Sequence, residues 1–482
     1  MSAKAFVVVD LGFGDAGKGT ITDFLVRSQG ARLVVRYNGG AQAGHNVVTE
    51  DGRHHTFSQF GSGTFVRGVR THLTCSVVIH PSALLVEDRR LTSVGVPDAL
   101  DRLTVAPDAR VTTPYHQALG RLRELARARG RHGTCGVGVG ETVRDELRHP
   151  NDVLRAADLW ARGSALDAKL GRVRERLWRE ARVALASCGD DPVAHQEMHI
   201  FDEEQVLGRW VDLIAPLRAR RGMLTDVVGG DLLSESAVVL EGAQGVLLDE
   251  HCGFHPHTTW TTCTTDDASS WLREQNFAGP VHRVGVMRTY ATRHGQGPLP
   301  SAAPELDHLD EPHNSDFGWQ GRFRRGWPDP LLWRYALCAT GGVDSVAITH
   351  LDRVAAAREW RVVSAYRGLD ADALDDSGAI RMRDAHDLRD RERLTMELLR
   401  AQAELSDLPG PGDSALDERF IAWLEDALDV PVSIASYGPT AGDKSVLGEL
   451  SGTRRSPASS SDRSASPRRE RSRCRSRGRP GS

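Results

Sequence analysis

The chain has 482 residues, of which 40% are hydrophobic and 26% charged, so a folded protein of several lobes is expected. It has no apolar run of about 18 residues, and its first apolar stretch runs into a glycine-rich turn without a signal-peptide cleavage site, which argues against membrane spans and secretion. The seven cysteines form no CxxC pair, so we expect reduced thiols in the cytoplasm rather than a zinc site or a disulfide framework.

The formal net charge of −4 conceals an uneven distribution. Residues 453–482 contain ten arginines against Asp462 and Glu470, so the rest of the chain is acidic. From Ser451 onward there is no large apolar residue, and such a segment cannot form a core. We therefore predict a folded region over 1–450 and a disordered Arg/Ser-rich tail over 451–482. A solvated tail is favoured over one that binds nucleic acid.

Strand and helix patterns alternate along the folded region. The first apolar run, 4–11, is typical of a buried strand; a glycine-rich loop follows at 12–20, then a helix that begins near 21 and a second strand at 32–38. Helical spacing appears at 121–129 and 152–185, and further strand-like runs are 237–242, 284–290, 345–351 and 430–435. The order predicts an α/β fold with a mostly parallel central sheet flanked by helices, and with ligands at the C-terminal ends of the strands.

The loop after the first strand has the sequence GFGDAGKGT, at 12–20. It departs from the phosphate-binding pattern GxxxxGK[ST] only because Gly19 follows Lys18. Glycines let backbone N–H groups face phosphate oxygens, and Lys18 adds a positive charge. Asp15 would repel a polyphosphate unless it holds Mg²⁺ or removes a proton from a substrate. The alternative interpretation is an ordinary glycine-rich turn.

A second glycine-rich loop follows the second strand. Residues 35–45 read VRYNGGAQAGH, and this loop ends in His45. A lone histidine is most often structural. At the C-terminal edge of a strand next to a phosphate loop, however, His45 is a candidate general acid.

The motifs occur in an order that resembles the adenylosuccinate synthetase family. After the two loops come EGAQGVLLD at 241–249, HPHTT at 255–259, YATRHGQGP at 290–298, GRFRRGW at 321–327, THLD at 349–352 and SYGP at 436–439. The resemblance covers about residues 4–450. It implies a catalytic domain over 1–450 with a P-loop-NTPase-like fold and inserted helical and loop subdomains. It also implies a GTP-dependent, Mg²⁺-requiring ligase that joins IMP and aspartate, and a homodimer.

The resemblance also implies roles by position. Catalysis would fall to Asp15, Lys18, His45 and Gln244, and Mg²⁺ to Asp15 and the Gly44 carbonyl. GTP would contact Gly14, Asp15, Ala16, Gly17, Lys18, Gly19, Thr20, Gly44, His45, Asn46, His350, Leu351, Asp352, Ser436, Tyr437 and Gly438. The substrate nucleotide would contact Asp15, Lys18, Gln42, Ala43, Gly44, His45, Cys135, His149, Gln244, Thr259 and Arg322. The amino acid would contact Gly318, Trp319, Gln320, Gly321, Arg322 and Arg324.

This sequence departs from the family in the parts that bind substrates. A glutamate of the phosphate loop is replaced by Ala16, an asparagine by Gln42, a threonine and an arginine by Cys135 and Val137, and the guanine-side lysine by His350. The arginine that the family lends across its dimer falls near His149, and the amino-acid loop is shortened at 319–322 with loss of two threonines. Four hypotheses remain: adenylosuccinate synthesis, a sister ligase for another amine or nucleotide, an inactive nucleotide-binding paralogue, and a simple phosphotransferase or NTPase.

Overall fold

A computed structural model describes residues 3–161, 164–234, 236–314, 319–375, 378–410 and 414–450. Two features of the sequence, the tail at 451–482 and the amino-acid-loop residue Gly318, lie outside the described residues and stay predictions. No helix within the described ranges is long and apolar enough to cross a membrane.

Nine strands of the described chain form one central sheet, in the order β17-β16-β13-β10-β1-β9-β2-β5-β7. All neighbours are parallel except β16 and β17. The strands are β1 (Lys4–Asp10), β2 (Leu33–Arg36), β3 (His45–Val48), β4 (His54–Phe57), β5 (Arg70–Leu73), β6 (Val78–Ile79), β7 (Leu103–Val105), β8 (Arg110–Val111), β9 (Ala237–Glu241), β10 (Val281–Arg288), β11 (Ala291–His294), β12 (Phe323–Gly326), β13 (Ser345–Thr349), β14 (Arg361–Arg367), β15 (Gln402–Asp407), β16 (Val432–Ser436) and β17 (Lys444–Val446).

The α-helices flank this sheet or form separate packed groups. They are α1 (Lys18–Gln29), α2 (Pro81–Ser93), α3 (Pro114–Ala126), α4 (Val139–Arg148), α5 (Ala156–Leu159), α6 (Ala165–Ala186), α7 (Pro192–Asp202), α8 (Val206–Leu213), α9 (Ala215–Arg218), α10 (Gly230–Ser234), α11 (Asp266–Glu274), α12 (Pro330–Thr340), α13 (Leu351–Ala355), α14 (Leu388–Arg400) and α15 (Leu416–Leu428). Helices α3, α6 and α7 share an apolar cluster of their own, which accounts for the predicted helical insertion.

Strand β1 lies at the centre because both of its faces are apolar. Phe6 and Val8 pack on the side of α1, while Ala5 and Val7 pack on the opposite side with Trp271 of α11. A strand buried on both faces suits the interior of a parallel sheet. The carboxyl ends of β1, β2, β9, β10, β13 and β16 therefore meet along one edge, and the loops that follow them converge there.

The predicted α/β fold with a mostly parallel sheet is confirmed, and the main errors lie at element boundaries. The first helix begins at Lys18 rather than at 21, so the lysine of the phosphate loop is itself helical. The single helical stretch predicted at 152–185 is divided into α5 and α6. The short helix α5 starts separately because the Arg155 backbone N–H donates to the Asp158 carboxylate over 2.7 Å, as in a capping box.

Acid sensitivity of the fold is expected from His72, which lies buried in β5 away from the glycine-rich loops. Burial lowers its pKa to about 4, helped by Arg70, while its Nδ1 lies 3.0 Å from Thr104 Oγ1. The unfolded chain takes up this proton near pH 6.5, so the stabilisation is present above that pH and is lost as pH falls toward 4. Between pH 7 and pH 5 the free energy of unfolding of the wild type should therefore fall by about 2 kcal/mol more than that of His72→Gln.

Urea denaturation of the full chain at the two pH values measures this change. The same substitution at the exposed His195 of α7 is the control and should reproduce the wild-type pH dependence. An equal loss of stability in His72→Gln and in the wild type would contradict the assignment.

Candidate active site

The loop between β1 and α1 is organised by a carboxylate at the end of the strand. Asp10 accepts hydrogen bonds from the backbone N–H groups of Gly12 and Ala16 at 2.9 and 3.0 Å, and Lys18 Nζ lies 2.8 Å from its Oδ2. Gly17 has a φ of 95°, a left-handed conformation that favours glycine, so the chain turns sharply into the helix. The buried ion pair holds Lys18 beside the loop. In the sequence Asp10 is only part of the apolar run 4–11, so this role was not predicted.

Asp15 sits at the turn of the same loop with a φ of 59°. Burial raises the pKa of its carboxyl, and His294, Lys18 and Arg288 oppose that rise. His294 Nε2 lies 3.6 Å from Asp15 Oδ2. His294 was not predicted as a site residue, although it lies within the YATRHGQGP motif at 290–298. The carboxylate is thus surrounded by cationic and potentially cationic groups while it faces the cavity described below.

His45 is held by a carboxylate from a distant strand. Its Nδ1 lies 2.6 Å from Oε1 of Glu241 at the end of β9, and Glu241 also accepts from the backbone N–H of Ser62 over 2.9 Å. Burial lowers the pKa of His45 to about 4, Arg36 lowers it further, and Glu241 works in the opposite direction. With Nδ1 bound to Glu241, Nε2 is the ring nitrogen left for a ligand.

A cavity of about 980 Å³ opens at the C-terminal edge of the sheet. Its walls bring together residues from loops that are far apart in sequence. The predicted site residues among them are Gly14, Asp15, Gly17, Lys18, Gly19, Thr20, Gln42, Ala43, Gly44, His45, Asn46, Cys135, Gln244, Thr259, Gln320, His350, Asp352, Ser436 and Gly438. The whole set proposed for catalysis and metal binding therefore faces one space.

Some predicted residues do not line this cavity. They are Ala16, His149, Trp319, Gly321, Arg322, Arg324, Leu351 and Tyr437. Ala16 and Leu351 are buried in the fold, whereas His149 is exposed just after α4. Tyr437 donates its hydroxyl to Asp417 over 2.8 Å. Their contacts with substrates stay predictions.

Two lining residues bear on the substrate nucleotide. Both side-chain polar atoms of Gln42 are buried without a hydrogen-bond partner among the described residues. Such a group carries a free-energy cost of about 1–3 kcal/mol unless a ligand satisfies it. The thiol of Cys135 is uncharged, since burial raises its pKa to about 12 and the nearby Asp15 acts in the same direction. The cavity therefore offers an amide and a neutral thiol where a nucleotide is expected.

A polar network closes the end of the cavity near α13. Arg288 Nη2 donates to Tyr290 Oη over 2.9 Å and to His350 Nε2 over 2.8 Å, and it also contacts Glu311. Burial lowers the pKa of His350 well below its usual value, and Arg288 lowers it further, so the imidazole is neutral. A neutral ring thus replaces the charged lysine of the family motif. Asp352 follows at the start of α13 and is half-exposed.

The shortened loop near 319–322 packs against the chain rather than standing in solvent. A Cβ added to Gly136 would lie 2.8 Å from the Trp319 indole, and the Arg121 guanidinium lies 5.7 Å from the centre of the same ring. Arg322 is 66% exposed and pairs with Asp307 at 2.8 Å. Arg324 donates to two backbone carbonyls of the 295–297 turn. The two arginines therefore have protein partners outside the cavity in this conformation.

Comparison with known proteins agrees with the order of motifs. The family model for adenylosuccinate synthetase matches residues 7–444. This chain belongs to the adenylosuccinate synthetase family. It is 32% identical over 460 residues to adenylosuccinate synthetase of Synechococcus sp. (strain RCC307), with 90% of this chain and 94% of that protein covered. It is 33% identical over 470 residues to that of Alkalilimnicola ehrlichii, covering 92% and 98%.

Solved structures share the fold of this adenylosuccinate synthetase family member. Fully ligated adenylosuccinate synthetase from Plasmodium falciparum superposes with a TM-score of 0.70 at 20% identity, covering 92% of this chain and 99% of that one. Succinoaminodeoxyadenylate synthetase of cyanophage S-2L, bound to dGMP and to dATP as an energy donor, gives 0.53 at 17% identity, covering 92% and 96%. At these identities the likeness concerns the fold alone.

Proposed function

We propose that this protein is a GTP-dependent carbon–nitrogen ligase that phosphorylates the 6-oxygen of IMP, or of a related nucleotide, and replaces it with the amine of aspartate. The observation that carries the proposal is the arrangement of Asp15, Lys18 and His45 around one cavity, with His45 fixed by Glu241. These groups supply a base, a phosphate-binding charge and an acid in a single site.

The chemistry follows from what each group can do. Asp15 accepts the N1 proton of the purine, which makes the 6-oxygen nucleophilic. That oxygen attacks the γ-phosphorus of GTP, the bond to the β-phosphate oxygen breaks, and GDP leaves with the electron pair. Lys18 and backbone N–H groups of the loop neutralise charge on the transferred phosphoryl group. His45, whose Nδ1 faces Glu241, donates a hydrogen bond from Nε2 in its protonated form, which the negative charge of the bound phosphates favours over the neutral ring of the free protein. The amine then attacks the 6-carbon, and phosphate departs with the former purine oxygen.

The residues present fit the Mg²⁺ that the family implies. The Asp15 side chain and Gly44 both line the cavity, and carboxylate and carbonyl oxygens are the hard donors that Mg²⁺ prefers. When bound there with the nucleotide, Mg²⁺ would neutralise phosphate charge. Because Gly44 directly precedes His45 in the chain, a metal ion held by the Gly44 carbonyl would lie beside the proposed acid.

A sister ligase with another amine or nucleotide is the second candidate. Its support is the set of changes in the substrate pockets: the packed Trp319, the neutral His350 and the thiol of Cys135. The cyanophage S-2L protein that shares this fold is bound to dGMP and dATP, and this supports the second candidate. A matrix of purine nucleotides against amino acids, with phosphate release and mass spectrometry as readouts, separates the candidates. Phosphate release that requires neither nucleotide acceptor nor amine would contradict both.

The preference for GTP over ATP should depend on Asp352. Its carboxylate can accept from the N1 and N2 donors of guanine, which adenine lacks. Asp352→Asn should therefore raise the KM for GTP about tenfold or more, which corresponds to the roughly 1–3 kcal/mol of a lost charged hydrogen bond. Asp407→Asn, on the exposed strand β15, is the matched control. Competition between GTP and ATP in the wild type gives the direct readout, and equal use of the two would refute guanine recognition.

The aspartate site should be altered by Trp319. A bulky indole in place of the family's threonine loop narrows the space beside residues 133–136, so we expect aspartate to bind weakly, with a high KM. Insertion of the threonine-containing family loop at 319–320 should raise kcat/KM for aspartate. A KM in the usual sub-millimolar range for wild-type protein, with fast turnover of IMP, would show that the loop works unchanged and would favour ordinary adenylosuccinate synthesis.

Homodimerisation and a cytoplasmic location complete the proposal. His149 is exposed at the end of α4 and lies outside the cavity of its own chain, as expected of a residue that completes a partner's site. Sedimentation of the full chain tests the dimer.

A further inference from the structure

Three carboxylates meet near the C-terminal end of α14, away from the cavity. Asp370 and Asp372 lie at a short helical turn after β14, and Glu397 lies on α14. One oxygen of each comes within 4.8 Å of the others. Both aspartates are exposed, whereas Glu397 is only 7% exposed. Oxygens at this spacing can share one cation.

Glu397 gives a second, independent observation. Its two carboxylate oxygens are buried, and neither has a hydrogen-bond partner among the described residues. Burial raises the pKa of this carboxyl and Asp370 and Asp372 act in the same direction, while Arg393 and Arg383 oppose the rise. A buried carboxylate without a partner is costly, and the two neighbouring aspartates increase the cost. The side chain is therefore placed as a ligand would be.

The charged side chains in and around the cluster include more carboxylates than guanidinium groups. Arg393 Nη2 lies 2.8 Å from Asp372 and 2.7 Å from Asp390, and Arg383 lies 3.9 and 3.5 Å from the same two carboxylates. These two guanidinium groups face four carboxylates when Asp370 and Glu397 are included. With all four carboxyl groups ionised the difference is two negative charges, which one divalent cation would balance while favouring the ionised form of Glu397.

We propose that Asp370, Asp372 and Glu397 form a second cation site, which takes a hard divalent ion such as Ca²⁺. Two of its ligands are exposed and leave room for water molecules, which suits the larger, more flexible coordination of Ca²⁺ better than the strict octahedron of Mg²⁺. The site is separate from the metal position at Asp15.

Binding there would join two parts of the structure. The first turns of α14 carry Leu388 and Glu392, which line the active-site cavity, and Glu397 follows on the same helix. A cation between Glu397 and the 370–372 turn would tie this helix to the strand pair β14 and β15. Its expected effect is on stability, since none of the three ligands faces the cavity.

Calorimetric titration of CaCl₂ into the nucleotide-free full chain tests the site. We expect one Ca²⁺ per chain and a raised melting temperature, with affinity at least tenfold weaker in Glu397→Gln and in Asp370→Asn. Asp407→Asn is the matched carboxylate control, and Asp15→Asn separates the two metal positions; both should keep the binding event. Since Asp370 is exposed, its variant remains informative if Glu397→Gln folds poorly.

Several outcomes of this titration would contradict the proposed cation site. Absence of a binding event in the wild type would overturn the proposal, and so would equal affinity in wild type and both cluster variants. Loss of the event in Asp15→Asn alone would assign the Ca²⁺ to the active site instead. A Glu397→Gln protein that is more stable than the wild type, while the wild type binds no Ca²⁺, would show that Glu397 is simply a protonated buried side chain.

Discussion

Asp15→Asn should lower kcat by about 10²–10⁴-fold, because the amide cannot accept the purine N1 proton and is a poorer ligand for Mg²⁺. The phosphate loop should survive the change. Its shape depends on the hydrogen bonds from Gly12 and Ala16 to Asp10 and on the Lys18 ion pair, none of which involves the Asp15 side chain. GTP binding should therefore remain measurable, although its Mg²⁺ dependence should weaken.

Steady-state kinetics with IMP and aspartate, together with a fluorescent GTP analogue, measure the two effects separately. Asp407→Asn again serves as the control, because it makes the same chemical change on an exposed strand. Turnover of Asp15→Asn close to that of the wild type would rule out Asp15 as the base.

The second large effect concerns His45. His45→Asn should cost about 10²–10⁴-fold in kcat, as removal of a general acid typically does. Glu241→Gln should cost less, since it leaves the imidazole in place but replaces the carboxylate that binds Nδ1 at 2.6 Å. Glu241 acts through His45 and is a positioning residue, so kcat should fall while the KM for GTP changes by less than about twofold.

The two kinetic constants and the unfolding midpoint of Glu241→Gln distinguish this role from a structural one. Loss of the fold would lower the midpoint and raise KM together with the fall in kcat. Wild-type kcat in a folded Glu241→Gln protein would show that the histidine needs no such orientation.

The sequence predicted those strands and turns that depend on a local pattern of residues. Continuous apolar runs such as 4–11 and 237–242 identify strands buried on both faces, and glycines mark the turns that follow them. The order of strands in the sheet was not predictable in this way. It depends on packing between segments hundreds of residues apart, such as β1 against β10.

Candidate site residues could be predicted where they stand together in one loop motif. Partners that come from a strand end or from a distant segment could not. Asp15, Lys18 and His45 stand in glycine-rich motifs, and the structure brings them to one cavity. Asp10 and Glu241 were missed as functional partners because each sits at the end of a strand, where a carboxylate has no distinctive spacing. The role of Glu241 emerges from parallel pairing, in which β9 lies between β1 and β2 and delivers Glu241 to His45. The role of Asp10 emerges from the folding of its own loop, which brings Ala16 and Lys18 back to the end of β1.

The residues predicted to bind substrates differ in whether they line the cavity. Gln42 lines the cavity, and its side-chain polar atoms have no partner in the part of the chain that the structure describes, as a ligand contact should. Arg322, by contrast, pairs with Asp307 over 2.8 Å and lies outside the cavity. Sequence position alone could not reveal this competing partner, because Asp307 belongs to a different loop. Binding of the amino acid by Arg322 requires that this exposed ion pair exchange for the substrate carboxylate, a change of small cost at a solvated surface.

In the proposed mechanism the purine 6-oxygen is phosphorylated before the amine displaces it. Isotope transfer tests it most directly: IMP labelled with ¹⁸O at the 6-position is incubated with GTP, Mg²⁺, aspartate and the full chain, and the released phosphate is examined by mass spectrometry. The mechanism predicts one ¹⁸O atom in each phosphate released with product. Product formation with unlabelled phosphate, and with the label in water, would contradict it.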